Sequence, residues 1–513
     1  MINNVLNLRL LLYLLLICLF FTGLSAASMQ NESEPGVVKT DSGYVSGIES
    51  NGVWEYLGIP YADPPVGDLR WKPPVPVEPW DGIKETKEYC AICPQPISPD
   101  PITGEISVNM SEDCLYLNVW TPVKKEGEKL PLMVFIHGGA FISGAGSLYN
   151  GMALAKKGVV IVTINYRLGA LGFLAHPQLS NESPNNSSGN YGILDQVAAL
   201  EWIQQNIGAF GGDPSRVTII GESAGASSIF VHLVSPQSYG LYQQAITESG
   251  PLWTNGTTIS IFFPRTEAEQ YGEEYTKSLG YSGPATIQQM RNVSARDLIM
   301  ATPYSSSMFG LMNSLRFRPT IEGWLIPDSP DTMFELRSEK PVPLIIGTNR
   351  DEGTTLAANV NMTVLEYEKY IRDHFGEDAD AVLAEYPAGS TEEVQSCMER
   401  IMTDYDFSDA AKFVAGSMAD LNRDTYLYRF SYALPGQTGG AFHGSELVMI
   451  FRPAEVPLDD TSRNVSDAMM NFWVGFAKTG DPDGGMNQTW PQYTTEGDQY
   501  LDIGDIPLVK SGY

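Results

Sequence analysis

The feature that most constrains the fold is the pairing of continuous apolar runs with helical patterns. Leu132-Met-Val-Phe-Ile-His137, Val159-Val-Ile-Val-Thr-Ile-Asn165, Val217-Thr-Ile-Ile220 and Leu344-Ile-Ile346 are short, rich in branched residues and not alternating. Runs of this kind suit strands covered on both faces, as inside a parallel sheet. Between them, Ile193 to Ile207 carries apolar residues at helical spacing and stops at Gly208. This alternation predicts an α/β fold, a mostly parallel central sheet with helices on both faces. No Ser/Gly-rich or charged linker divides the chain, so residues 28–513 read as one domain with long insertions.

The balance of charge narrows the partners. Against 61 Asp and Glu stand 32 Lys and Arg, a net charge of −29, and no basic run offers a face to nucleic acid or to an anionic membrane. Such a surface keeps the chain soluble, and it also suits saline surroundings.

Residues 1–27 have the layout of a secretory leader. Arg9 precedes an apolar run from Leu10 to Leu24, and Ser25-Ala26-Ala27 offers small residues for cleavage. The run is about 15 residues, short of the roughly 20 a membrane span needs; an uncleaved anchor is the alternative. Ten Asn-x-Ser/Thr sequons, from Asn31 to Asn487, fit a glycosylated extracellular surface. Outside the leader lie Cys90, Cys93, Cys114 and Cys397. Cys90-Ala-Ile-Cys93 lacks a second pair at metal spacing, so in an oxidising compartment a structural disulfide to Cys114 is the better reading.

The chemistry centres on Gly221-Glu222-Ser223-Ala224-Gly225, which follows the apolar run Val217–Ile220 and precedes a helical pattern. Glycines on either side of a serine, between strand and helix, allow a strained turn that exposes the hydroxyl oxygen. The helix N-terminus behind it favours negative charge. An exposed serine needs a base, oriented by an acid, in the chain order Ser, Asp or Glu, His. Of five histidines, His374 and His443 follow at suitable distance. His374 lies among charged residues of a solvated helical stretch, whereas His443 sits in the loop Gly439-Gly-Ala-Phe-His-Gly444. His443 is therefore the expected base. The apolar run Leu344–Ile346 leads into Gly347-Thr-Asn-Arg-Asp-Glu-Gly353, where Asp351 and Glu352 both qualify as the acid. His137-Gly138-Gly139-Ala140-Phe141 ends another run; the N–H groups of Gly138 and Gly139, with that of Ala224, are expected to meet a developing oxyanion. His137 itself reads as a ring that holds this loop.

Together these pieces resemble the type B carboxylesterase family, the cholinesterase-like branch of the α/β-hydrolases. Leu57-Gly-Ile-Pro-Tyr-Ala62 through Leu69-Arg-Trp71 is similar to the family's first signature, and Ser111-Glu-Asp-Cys-Leu-Tyr-Leu-Asn118 to its second. Phe210-Gly-Gly-Asp-Pro214 through Ser223 resembles the active-site block, and Phe472–Pro482 the C-terminal helix and turn. The resemblance implies that Glu352 is the triad acid, that Cys93 rather than Cys90 pairs with Cys114, and that Ser249 lies behind the triad.

It further implies a secreted serine carboxylesterase acting on a small-molecule ester, with no metal and no cofactor. A lipase, a cholinesterase-like hydrolase or a noncatalytic adhesion protein on the same fold are the alternatives. One departure bears on substrate. Cholinesterases bind quaternary ammonium on a Trp in the loop between the first two paired cysteines, and Pro94 to Asp113 contains no aromatic residue. Trp253, just past Ser249, is a candidate wall for an acyl pocket, with core packing as the other reading. Cys90 and Cys397 fall outside the family's usual bridges.

Overall fold

The structure, a computed structural model, describes residues 34–97, 109–122, 128–254, 259–302, 316–421, 424–484 and 489–513. The expected leader, the sequons at Asn31, Asn255 and Asn487, and the middle of the loop after Cys93 lie outside them.

An eleven-stranded sheet organises the chain. Its strands are β1 Ile48–Ser50, β2 Val53–Pro60, β3 Tyr116–Pro122, β4 Leu130–Ile136, β5 Val160–Ile164 and β6 Gly212–Glu222. They continue as β7 Gln244–Glu248, β8 Leu344–Asn349, β9 Thr425–Phe430, β10 Gln499–Ile503 and β11 Leu508–Ser511. The order across the sheet is 1-2-3-5-4-6-7-8-9-10-11. From β5 to β10 every neighbour runs parallel, while the two edges are antiparallel. All four predicted runs are strands of the parallel core, and β4 and β5 are buried throughout.

Five helices frame the site: α1 Tyr191–Asn206, α2 Ala224–Val234, α3 Asp409–Asp420, α4 Leu447–Phe451 and α5 Asp460–Thr479. They cover both faces. Leu132, Val134 and Ile136 of β4 lie in one apolar core with residues of α1, α2 and α3, while Met133 and Phe135 lie in a second with residues of α4 and α5. Side chains alternate across a strand, so a strand apolar at every position needs two cores, and the chain provides them. Among the described residues no helix is long and apolar enough to cross a membrane.

Candidate active site

Ser223 sits between the end of β6 and the start of α2, with φ +55° and ψ −121°. A non-glycine residue in that region stores about 1–3 kcal/mol and needs neighbours that hold it. They are visible. The Ser223 N–H donates to the Glu248 carbonyl at the end of β7 at 2.9 Å. A Cβ at Gly225 would lie 2.0 Å from the Ile136 carbonyl oxygen, and one at Gly221 would lie 2.6 Å from the Gly225 backbone. Both glycines are therefore required where helix, strand and turn cross.

His443 reaches this serine from the loop between β9 and α4. Its Nε2 lies 2.9 Å from Ser223 Oγ, and its Nδ1 lies 2.6 Å from Glu352 Oε2. Glu352 is fully buried, and its other oxygen accepts the Asn349 N–H at 2.7 Å. Of the two carboxylates the motif left open, Asp351 has a different place. It pairs with Arg350 at 2.9 Å and accepts the Ala441 N–H at 2.8 Å, clamping the loop that carries His443. His374 is exposed on its helix, its Nδ1 2.8 Å from the Tyr370 carbonyl.

The candidate oxyanion loop runs against the serine. A Cβ on Gly138 would come 2.6 Å from a Glu222 carboxylate oxygen and 3.0 Å from Ser223 Cβ. Gly139, Ala140 and Phe141 follow with φ of +99°, +55° and +63°, a tight left-handed turn that exposes successive N–H groups. Ala224 opens α2, where the first N–H groups have no intrahelical acceptor. His137 is fully buried and stacked on Tyr166, with Nδ1 2.8 Å from the Gly138 carbonyl. Burial holds its ring down at about 4, so it is neutral and braces the loop.

The glycine loop is tied to the disulfide. Cys93 and Cys114 are bonded, their Cα atoms 5.0 Å apart, while Cys90 and Cys397 are free thiols. Two residues past Cys93, Gln95 donates to the Gly144 carbonyl and accepts the Gly144 N–H, both at 2.9 Å. The cross-link thus anchors the far end of the glycine loop.

Several functional groups escape the sequence reading. Glu222, at the variable position of the serine pentapeptide, brings Oε1 to 3.2 Å from His443 Nε2. Glu446 and Glu248 are buried nearby; Glu446 accepts a short hydrogen bond from Asn349 Nδ2, and Glu248 accepts Trp473 Nε1 at 2.6 Å. Burial, reinforced by Glu222 and Glu352, pushes the Glu446 carboxyl up to about 8. Burial and then Glu446 push Glu248 well above the carboxylate range. For His443, burial pulls downward, but Glu222 and Glu352 outweigh it and lift the ring to about 9. Phe407 packs on that ring with centroids 5.1 Å apart, from the π-helical segment Met402–Ser408. Trp253 donates to the Tyr405 carbonyl of the same segment at 2.7 Å and packs on Phe413. Ser249 is buried behind the site with φ +53°, its N–H donating to the Gly347 carbonyl.

A parallel sheet carrying a serine on a strained strand-to-helix turn, with a histidine and a buried glutamate in line, defines the α/β-hydrolase class. The structure of a PNB esterase superposes with a TM-score of 0.81 at 33% identity, over 93% of this chain and 97% of that one. A sequence profile of the carboxylesterase family matches residues 34–513. Similar proteins include the fumonisin B1 esterase of Sphingopyxis macrogoltabida, 37% identical over 93% of this chain and 89% of its own. The para-nitrobenzyl esterase of Bacillus subtilis is 36% identical over 90% and 93%, and the cholinesterase of Mus musculus 32% over 96% and 86%. The chain belongs to the carboxylesterase family and is a carboxylic ester hydrolase.

Proposed function

We propose that the chain is a secreted serine carboxylesterase in which Ser223, His443 and Glu352 act as one catalytic triad. The observation that carries the reading is the unbroken line from Ser223 Oγ to His443 at 2.9 Å and on to Glu352 at 2.6 Å. As Ser223 Oγ attacks the ester carbonyl, its proton passes to His443 Nε2. Glu352 fixes the tautomer and stabilises the imidazolium. The carbonyl oxygen, now an oxyanion, is met by N–H groups of Gly138, Gly139 and Ala224. The imidazolium protonates the departing alcohol. His443 then takes a proton from water, which attacks the acyl-Ser223 and releases the acid.

The buried ring of charge around His443 suits this cycle, because each half passes through an imidazolium. Replacing Ser223 or His443 by Ala is expected to lower kcat by several orders of magnitude with the fold intact. The double variant should be little worse than either single, since the residues work as a unit. A Ser223→Ala protein that retained a tenth of wild-type activity would refute the triad.

Export is supported by the leader pattern, the surplus of sequons and a disulfide suited to an oxidising compartment. The mature chain is expected to start near Ala27 or Ser28, read by N-terminal mass spectrometry of protein from the medium. Intact residues 1–27 on membrane-bound protein would favour the anchored form instead.

A further inference from the structure

On the face of the sheet covered by α4 and α5 lies a cavity of about 710 Å³. None of Ser223, His443 and Glu352 lines it. Its size falls within the range that takes a small organic molecule. Two kinds of wall meet there. Tyr149, Met152 and Phe451 supply an apolar side, with Tyr149 wedged between Phe135 and Phe451 at centroid distances of 4.5 and 5.2 Å. Lys156, Lys157 and Arg452 supply the other.

The cations are unusual in their setting. The chain as a whole carries nearly two acids for each base, yet here three bases face only Asp467 and Glu455. Lys157 is held by Asn471 at 2.8 Å and Asp467 at 3.2 Å. Arg452 is held by Ser466 at 2.6 Å and by the same Asp467 at 2.9 Å. Asp467 is thus shared between two cations, and Lys156 is exposed with no ion pair among the described residues. Arg452 also ends α4 in a left-handed conformation, φ +49° and ψ +59°, which a glycine would adopt without strain. The strained residue is the one that brings a guanidinium to the rim.

We propose that this cavity is a binding site for an amphipathic carboxylate, a molecule with one anionic head on an aromatic or branched apolar body. The head meets Lys156 and Lys157, which lack a full set of counter-charges, and the body lies against Tyr149, Met152 and Phe451. A cationic ligand would face an excess of like charge at the rim, and a neutral one would leave Lys156 without a partner. A fully polar anion would waste the aromatic wall.

Titration calorimetry on the full chain tests this with 4-phenylbutyrate and its uncharged primary amide as probes. The carboxylate is expected to bind at one saturable site, at least tenfold more tightly than the amide. Lys156→Glu, on an exposed side chain, should weaken the carboxylate at least tenfold. Ala153→Trp, which fills the cavity, should abolish binding of both probes. Wild-type circular dichroism and melting of Lys156→Glu qualify that comparison even if the Trp variant does not fold. Equal affinity for acid and amide, an unmoved affinity in Lys156→Glu, or no saturable binding up to millimolar concentration would each overturn the proposal.

Discussion

Replacing Glu222 by Gln removes a carboxylate and little volume from beside His443, the proposed base. Glu222 Oε1 lies 3.2 Å from His443 Nε2, and the two side chains are 6% and 12% exposed. At an effective dielectric of about 20, unit charges at that distance attract by about 5 kcal/mol. Even a quarter of that figure is about one pKa unit on the ring. The sign follows from which form the charge favours. Glu222 stabilises protonated His443, so its loss lowers the ring's pKa and leaves the neutral base available at lower pH. The same loss withdraws support from the imidazolium formed in the transition state. The expected result is an acid limb of kcat/KM displaced downward by about one unit or more. The pH-independent plateau should fall by about tenfold for each 1.4 kcal/mol of imidazolium support withdrawn.

The assay is hydrolysis of an uncharged p-nitrophenyl ester across the pH range where the protein stays folded, followed at low substrate so that kcat/KM reports the free enzyme. An acid limb that stayed in place or moved upward would refute the electrostatic reasoning, because geometry alone would then account for Glu222.

Three further outcomes are expected. Cys114→Ser should cost about 3 kcal/mol of stability from the roughly 20-residue loop it opens, and should lower kcat as well, because Gln95 then loses its fixed hold on Gly144; peptide mapping without reduction and activity at low temperature check the two parts. Glu446 binds its proton more tightly folded than unfolded, so the stability it contributes is full below pH about 4.5 and is lost as pH rises through about 8. The Glu446→Gln variant should therefore show a shallower fall in Tm across that interval, and an unchanged slope would count against it. Butyl butyrate should exceed butyrylcholine in kcat/KM at physiological ionic strength, since a missing cation–π contact costs about 2 kcal/mol while surface steering is screened; faster hydrolysis of the choline ester would show that another aromatic ring serves.

The proposed line from Ser223 to His443 could be suggested from sequence because both residues leave a local mark. Gly221 and Gly225 bracket Ser223 where the backbone cannot tolerate a Cβ, and the glycines around His443 mark a loop. The choice of Glu352 over Asp351 was not local, and it came from family resemblance. In space the difference is plain: Asp351 turns outward to Arg350 and the loop backbone, while Glu352 is buried under His443. The strands β7, β9 and β10 were also less visible than the four apolar runs. Thr425-Tyr-Leu-Tyr-Arg-Phe430 mixes aromatic and polar residues and resembles an amphipathic strand or a loop edge equally well. Trp253 shows how far a sequence neighbourhood can carry. Proximity to Ser249 suggested a pocket wall, and the structure gives the ring packing on Phe413 and a tie to the π-helical segment that packs on His443.

Apart from Glu352, the buried acids could not be read from sequence, because their meaning lies in convergence. Glu222 ends β6, Glu248 ends β7, Glu352 follows β8, and Glu446 follows the loop after β9. Parallel strands deliver their carboxyl ends to one edge, so four glutamates from four adjacent connections gather in one buried cluster, and three of them, Glu222, Glu352 and Glu446, act on His443. Four full charges in so dry a place would repel each other strongly. The structure answers by raising Glu446, held by Asn349, to about 8, so that it keeps its proton at neutral pH, and by raising Glu248, held by Trp473, well above the carboxylate range. Glu222 and Glu352 lie in direct reach of the ring, one on each nitrogen. Of the four acids, Glu222 and Glu352 do most to lift the His443 ring. The sheet's topology, more than any single residue, sets the charge felt by His443.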